Sequence, residues 1–103
     1  MSTSIVTTPE ADQQVLRADE WWRENRPAGS SLFTDELAGS FAALRRAPQL
    51  GKPLRRKGIP GLRRLLLPRT RYHLYYVFDE PQDQIIVLSV WSAVRGRGPR
   101  LSR

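Results

Sequence analysis

The chain of 103 residues contains no cysteine and a single histidine, His73. A structural zinc site takes several cysteine or histidine ligands, so we expect neither a metal nor any other cofactor. Small secreted domains usually carry disulfides, and their absence is typical of a protein in the reducing cytoplasm. The sequence has no run of about 18 apolar residues that would span a membrane. It also begins without the basic and apolar segments of a secretory signal.

Acidic residues are absent from two stretches that are rich in arginine. The chain has 17 Lys and Arg residues against 10 Asp and Glu, a formal net charge of +7. Of the basic residues, 14 lie in these two stretches: Arg45, Arg46, Lys52, Arg55, Arg56, Lys57, Arg63, Arg64, Arg69 and Arg71, then Arg95, Arg97, Arg100 and Arg103. Such segregation indicates a basic surface that meets phosphates or an acidic protein. The alternative is an arginine-rich soluble protein with a solvated basic surface.

The C-terminal third has the pattern of a β-hairpin. Tyr72 to Phe78 and Ile85 to Trp91 are rich in aromatic and branched residues, and a polar turn containing Pro81 separates them. Strict alternation puts Ile85, Val87 and Trp91 on one face and Ile86, Leu88 and Val90 on the other. Because both faces of both strands are apolar, we expect the hairpin to be covered on both sides. One cover is expected from the chain's own helices and the other from a partner.

Two amphipathic helices are predicted upstream of this hairpin. Thr8 and Pro9 are typical of a helix start, and Ser30 or Ser31 is expected to cap the second helix, which Pro48 bounds. Short strands are expected over 2–7 and 62–67, with a basic loop over 49–61 between the second helix and the later strand. The predicted order is β-α-α-β-β-β, an α+β domain in which a helical hairpin packs on a small antiparallel sheet. We expect one domain over 1–92 and a basic tail over 93–103, where glycine and arginine alternate.

With this order of elements, several local motifs resemble the RelE/ParE superfamily of bacterial type II toxins. The segment from Leu44 through Pro48 to Gly51 is similar to the family's Leu-x-x-x-Pro-x-x-Gly. Gly61 to Leu65 resembles its short arginine-bearing strand. Tyr72 to Val77 resembles its Tyr-Arg-hydrophobic-x-Tyr-x-Val. The resemblance covers nearly the whole chain, because the last strand and the basic tail follow in the same order.

The resemblance implies a cytoplasmic toxin that arrests growth and is neutralised by a cognate antitoxin. RelE-like members cleave messenger RNA on the ribosome without a metal, and ParE-like members bind DNA gyrase without chemistry of their own. The resemblance leaves two targets possible, the ribosome with its mRNA or DNA gyrase. RNA cleavage is the first hypothesis and gyrase inhibition the alternative. A third reading is a basic nucleic-acid-binding module without toxicity, although no helix-turn-helix, zinc or RNP pattern supports it. No interaction with a membrane is expected.

RNA cleavage without a metal needs a proton acceptor, a cation beside the phosphate and a proton donor. His73 titrates near neutrality, and it stands where RelE-like toxins often carry an arginine. With Arg63, Arg95 and Arg97 it forms the candidate catalytic set, although Arg64 is an equal candidate for the neighbouring strand. Arginine binds phosphate through a bidentate fork. The wider candidate set for binding RNA or phosphate is Lys52, Arg55, Arg56, Lys57, Arg64 and Tyr75.

The chain departs from the RelE-like pattern in its tail. RelE-like nucleases commonly carry a tyrosine or histidine there, and neither follows Trp91 in this sequence. The loop over 49–61 lacks the glutamate that some relatives use as a base. The alternative for His73 is a sheet residue hydrogen-bonded to a neighbour, and tyrosine or tryptophan in a small sheet is most often part of the core. We therefore expect Tyr72, Tyr76 and Trp91 to be core residues and leave Tyr75 open.

Overall fold

The order of helices and strands follows the predicted pattern. The computed structural model describes residues 3–102, so Ser2 of the predicted first strand and Arg103 of the predicted tail lie outside the described residues. The α+β class and the β-α-α-β-β-β order are confirmed, with a 3-10 turn between the helices and a two-residue strand in the basic loop as additions. The elements are β1 (Ser4–Thr7), α1 (Pro9–Asn25), the turn Pro27–Gly29, α2 (Leu32–Arg46), β2 (Lys52–Pro53), β3 (Arg63–Leu67), β4 (Tyr72–Asp79) and β5 (Gln84–Ser92).

The two helices begin at the predicted positions but are capped differently. The Thr8 hydroxyl accepts a hydrogen bond from the Ala11 N–H at 3.1 Å, and Pro9 occupies the first turn of α1. Ser31 precedes α2, yet its side chain makes no capping hydrogen bond. Its backbone carbonyl instead accepts from the Asp35 N–H at 2.9 Å. The second cap was therefore predicted at the right residue, without the side-chain bond expected of a serine.

The five strands form one mixed sheet in the order β1-β5-β4-β3-β2. The predicted antiparallel arrangement is confirmed for β2 to β5, whereas β1 lies parallel to β5 along its length. A parallel pair needs a long crossover, because the chain must return to the same end of the sheet. Here the crossover includes the α1–α2 hairpin, which covers one face of the sheet.

Both faces of the β4–β5 hairpin are buried, as its apolar pattern predicts. The helices cover one face in a cluster that includes Phe33, Leu44 and Tyr76. On the other face, Tyr75, Val77 and Leu88 pack with residues from the basic loop and the tail. The cover on that side within the described chain is its own: Leu54, Ile59, Leu62 and Leu101. The expectation that a partner supplies the second cover was therefore wrong for this part of the sheet.

The pairing of β4 with β5 contains a bulge that strict alternation did not predict. Tyr75 lies opposite Ser89, but the next residue of β4, Tyr76, lies opposite Val87, so Leu88 is an extra residue in β5. An extra residue reverses the facing of everything beyond it. Val90 consequently packs under the helices and Trp91 lies on the opposite face. The predicted faces of Val90 and Trp91 were therefore interchanged.

The Tyr76 hydroxyl connects the centre of the sheet to the end of α2. It donates to the Pro48 carbonyl and accepts from the Gly51 N–H, each at 2.8 Å. A Cβ on Gly51 would lie 2.7 Å from this hydroxyl and 3.1 Å from the Arg64 carbonyl oxygen, so glycine is required for the close approach. Burial raises the pKa of Tyr76 above its usual value, although Gly51 and Arg63 partly oppose the change.

Glu36 of α2 holds the turn between β3 and β4. Its carboxylate accepts from the Arg69 N–H, the Thr70 N–H and the Thr70 hydroxyl at 2.8, 2.9 and 2.6 Å. Partial burial raises the pKa of Glu36, but these hydrogen bonds and the Arg69 charge outweigh it and leave the pKa below the ordinary value. The turn ends at Arg71, whose φ of 65° lies in the left-handed region.

We expect Gly51→Ala to lower the free energy of unfolding by about 1–3 kcal/mol, since the added methyl group meets backbone as well as the Tyr76 ring. Gly39→Ala is the matched control, because Gly39 lies in α2 and has open space around its Cβ position. That substitution should be neutral or stabilise by up to ~1 kcal/mol. Urea denaturation of both variants measures the difference. Equal stability of the two variants would contradict the role assigned to Gly51.

Glu36→Gln should lower the free energy of unfolding at neutral pH by about 1–2 kcal/mol, because the hydrogen bonds lose their charged acceptor. The folded-state pKa of Glu36 lies below its ordinary value near 4.5. Its stabilising contribution is therefore complete above that value and is lost as the pH falls through the folded-state pKa. The difference between wild type and variant should shrink over the same acidic range. Glu24→Gln, at an exposed position of α1, is the control variant.

Candidate functional site

The sheet face opposite the helices carries most of the predicted site residues. We call it the distal face and define it by Arg64, Leu66, His73, Tyr75 and Trp91. Arg64 lies opposite Tyr75, and His73 is flanked by Leu66 on β3 and Trp91 on β5. Residues directly opposite in an antiparallel pair share a face. The bulge in β5 is thus the reason that a tryptophan lies beside the only histidine.

His73 is a partly buried base among cations. Its ring centroid lies 6.1 Å from that of Tyr75, in an edge-on arrangement. Burial lowers the pKa of His73, and the positive charges of Arg64 and Arg71 lower it further. The lowered pKa favours the neutral imidazole, which is the form that can accept a proton. The same two charges favour an anion close to it.

Trp91 organises the start of the tail. The Arg95 guanidinium carbon lies 4.3 Å from the centroid of the Trp91 ring, within the range of a cation–π interaction. The indole N–H of Trp91 donates to the Arg97 carbonyl at 2.8 Å. The structure therefore brings Arg95 and the Arg97 backbone to the distal face, and the Arg97 side chain is exposed. Trp91 was expected to be a core residue. It is only partly buried and packs against the cluster that contains Tyr75, Val77 and Leu88.

Arg63 is separated from His73 by the sheet. Its guanidinium donates to the Gln49 carbonyl at 3.1 Å and to the Gly51 carbonyl at 2.7 Å. Consecutive strand residues point to opposite faces, so its neighbour Arg64 is the arginine on the distal face. Of the predicted catalytic set, the structure brings together His73, Arg95 and the Arg97 backbone and leaves Arg63 at the helix-covered side.

The predicted phosphate-binding residues of the loop are exposed, and the loop contacts the tail. Lys52, Arg55, Arg56 and Lys57 are all exposed. The latter three border an open depression of about 410 Å³ formed by residues 54–57 and 59–61. The Arg56 guanidinium lies 3.4 Å from the Pro99 carbonyl, a weak hydrogen bond that links loop and tail. The basic stretches of the sequence are therefore neighbours in space.

Tyr75 lies beneath this cover and is only 4% exposed. A Cβ added to Gly98 of the tail would lie 3.8 Å from its hydroxyl, so the tail passes directly over it. A buried ring is not available to stack on a base in this arrangement. Tyr76 is a fully buried core residue, as expected. Tyr72 is partly buried and packs against the core, with its ring centroid 4.8 Å from that of Phe33.

Sequence reasoning missed the contribution of Arg71 to this site. Arg71 precedes β4 in a left-handed conformation, its carbonyl accepts from the Ala93 N–H at 2.7 Å, and its charge acts on His73. No local motif marks such a residue, because the turn conformation and the strand pairing decide where its charge lies. The choice of Arg64 over Arg63 needed only the register of β3 against β4, which the sequence pattern left open.

Other kinds of site receive no support within residues 3–102. In this range, no group of three or more His, Cys, Asp or Glu side chains is placed to hold a metal ion. None of the helices described has the length and apolar character needed to cross a membrane. The arrangement on the distal face instead joins arginines, aromatic rings and one neutral imidazole, a set suited to binding anions or an acidic protein surface.

Comparison with known proteins identifies relatives of this arrangement. Residues 5–96 match the family model described as the ParE toxin of the type II toxin–antitoxin system parDE. No curated protein sequence matches the chain significantly.

Three solved structures are similar in fold. A chain of the ParDE system from Pseudomonas aeruginosa is 16% identical with a TM-score of 0.66, over 87% of this chain and 95% of that one. A chain of the intact Escherichia coli RelBE complex is 19% identical with a TM-score of 0.64, over 90% and 99%. A chain of the RelBE2 complex from Mycobacterium tuberculosis is 22% identical with a TM-score of 0.60, over 89% and 99%. The TM-scores of 0.60 to 0.66 show that these chains share the fold.

We expect the His73 imidazole to titrate below its ordinary value, and Arg64→Gln or Arg71→Gln to raise its pKa by removing a nearby positive charge. Because the chain has one histidine, its ring protons can be followed by NMR without ambiguity. Arg45→Gln, an exposed arginine on α2, is the control and should leave the titration unchanged. An unchanged pKa in both distal-face variants would contradict the described electrostatics.

The same shift gives the stability a pH dependence. Folded His73 binds a proton less readily than the unfolded chain, so stability is complete above the ordinary value near 6.5 and falls as the pH drops toward the folded-state pKa. His73→Gln should remove this part of the pH dependence while leaving the contribution of Glu36 at lower pH.

Proposed function

The chain belongs to the ParE toxin family of type II toxin–antitoxin systems, and on that premise we propose that it arrests growth by binding and inhibiting DNA gyrase. The activity is one of binding, without a chemical step of its own. The proposed place of action is the cytoplasm, where the target is found. The distal face, the basic loop over 54–61 and the tail form the proposed contact surface.

A cognate antitoxin is the second part of the proposal. The similar chains belong to toxin–antitoxin systems in P. aeruginosa, E. coli and M. tuberculosis. The acid-free surface of this chain favours an acidic partner, because charge complementarity steers association and excludes like-charged competitors. Leu66 of the distal face is 44% exposed, which leaves apolar area there for that partner to cover.

One observation favours binding over catalysis: the distal face holds cations and aromatic rings but does not assemble an acid–base pair. RNA cleavage needs a proton donor for the leaving oxygen as well as an acceptor. The lowered pKa of His73 favours its neutral form, which suits the acceptor role. The nearby Tyr75 hydroxyl is buried beneath the tail, and no tyrosine or histidine follows Trp91. The Arg95–Trp91 contact presents a charged and aromatic surface of the kind that protein interfaces use.

Ribosome-dependent cleavage of messenger RNA is the second candidate. A neutral imidazole between Arg64 and Arg71 has the proton acceptor and the cations that such a reaction needs. In this case His73 would receive the proton of the attacking 2′-hydroxyl. The arginine charges would stabilise the negative charge that develops on the phosphate. A non-toxic nucleic-acid-binding module would instead show salt-dependent binding and no effect on growth.

The deciding experiment measures both activities on the same purified protein. We expect inhibition of supercoiling by purified gyrase and no ribosome-dependent cuts when messenger RNA is mapped by primer extension in a purified translation system. Arg95→Ala/Arg97→Ala should weaken gyrase inhibition about tenfold or more, since arginines in an interface centre commonly contribute over 1 kcal/mol. Arg17→Ala, an exposed arginine of α1 on the far side of the molecule, is the matched control.

Each alternative outcome has its own meaning. If ribosome-dependent cuts appear with the wild type and disappear with His73→Ala, the protein cleaves RNA and the proposal of gyrase inhibition is wrong. If Arg95→Ala/Arg97→Ala inhibits gyrase as strongly as the wild type, the side chains of Arg95 and Arg97 are not part of the contact surface. Intact supercoiling and intact messenger RNA, together with normal growth on induction, would remove the toxin proposal altogether.

A further inference from the structure

The bulge in β5 depends on α1, although the two lie about 75 residues apart in the chain. A bulge breaks the ladder locally and leaves backbone groups in need of other partners. Here the Gln14 side-chain oxygen accepts from the Val90 N–H at 2.7 Å and from the Ser89 hydroxyl at 3.0 Å. Ser89 is fully buried, so water cannot replace these bonds easily.

Thr8 adds a second connection at the same point. Its hydroxyl, which caps α1, lies 3.3 Å from the carbonyl of Leu88, the extra residue of the strand. The Thr8 N–H donates to the Val87 carbonyl at 3.1 Å. The start of α1 is therefore joined to two consecutive residues of β5, Val87 and Leu88. Gln14, almost two turns later, holds the two that follow, Ser89 and Val90.

This attachment selects between two arrangements that the apolar pattern allows equally. A regular β5 would turn Trp91 toward the helices and Val90 toward the distal face, and both side chains are apolar. Register in a strand that is apolar on both sides is weakly specified by its side chains alone. The Val90 N–H and the Ser89 hydroxyl favour the bulged arrangement, because Gln14 supplies the acceptor that these buried groups need.

We propose that Gln14 is a positioning residue for the distal face: by fixing the bulge, it places Trp91 beside His73 and thereby sets where Arg95 and the tail lie. The consequence for toxicity rests on the proposed function, which uses this surface. The structural part does not, because the facing of Trp91 is measurable whatever the target. Gln14 lies in α1, and its side-chain oxygen bonds to Ser89 and Val90 of β5.

The test compares Gln14→Met, which keeps the length of the side chain but lacks the acceptor, with Gln14→Glu, which keeps it. Gln13→Met is the matched control, because Gln13 is an exposed neighbour on the same helix. NMR amide exchange follows the Val90 N–H and the Trp91 indole N–H, with Ala18 in α1 as an internal reference. Growth arrest on induction is scored in parallel for all variants.

In Gln14→Met we expect at least tenfold faster exchange at Val90 and the Trp91 indole, a shifted indole resonance and reduced toxicity. Ala18 should keep its protection. Gln14→Glu should restore the wild-type signals, and Gln13→Met should not change them. Wild-type protection of Val90 and an unshifted Trp91 indole in folded Gln14→Met would overturn the proposal.

If Gln14→Met does not fold, Gln14→Asn provides the same test in a milder form, with Gln13→Asn as its control. The shorter amide cannot reach both partners, so Val90 and the Trp91 indole should again lose protection relative to Ala18. Wild-type protection at both would overturn the proposal. Should the wild-type protein fail to inhibit gyrase, the proposed function falls while the exchange data still decide the role of Gln14.

Discussion

The hydrogen bonds between α1 and the bulged part of β5 are the constraint on which the distal face depends. Gln14 and Thr8 satisfy backbone groups that the irregular pairing leaves open, and they do so from a helix that is already capped at Thr8. The bulge reverses the facing of the residues that follow it. Trp91 therefore lies on the distal face of the sheet, away from the helices. The positions of Arg95 and the tail follow from Trp91, through a cation–π contact and a hydrogen bond.

Tyr76, which lies opposite Val87 next to the bulge, makes a similar connection between the sheet and the loop after α2. Its buried hydroxyl holds Pro48 and Gly51, and Arg63 binds the carbonyl of the same glycine. The Pro-x-x-Gly spacing is thus required by one hydrogen-bonded contact between the sheet and the loop after α2. This contact also accounts for Arg63, a residue whose charge suggests catalysis but whose guanidinium is engaged with backbone on the helix-covered side.

The charge of the distal surface connects the fold to the proposed activity. The charges of Arg64 in β3 and Arg71 in the following turn act on one partly buried imidazole, and Arg95 of the tail lies over the neighbouring Trp91. The mutual repulsion of these cations favours an anionic or acidic ligand. The family relationship supports a toxin. Our proposal of gyrase inhibition over RNA cleavage rests on a proton acceptor that has no proton donor beside it. The buried Tyr75 and the tail that covers it are consistent with a surface built for docking.

The sequence by itself determined the element order, both helix starts, the two-sided burial of the hairpin and the family resemblance. Each of these follows from local spacing, such as Thr8 before Pro9 or the apolar run of β4. Only the tertiary structure decided the facing of Val90 and Trp91, the choice between Arg63 and Arg64, and the parallel pairing of β1. The physical reason is that strand register and bulges depend on partners far away in the chain. The bonds from Gln14 to Ser89 and Val90 leave no signal in the local pattern.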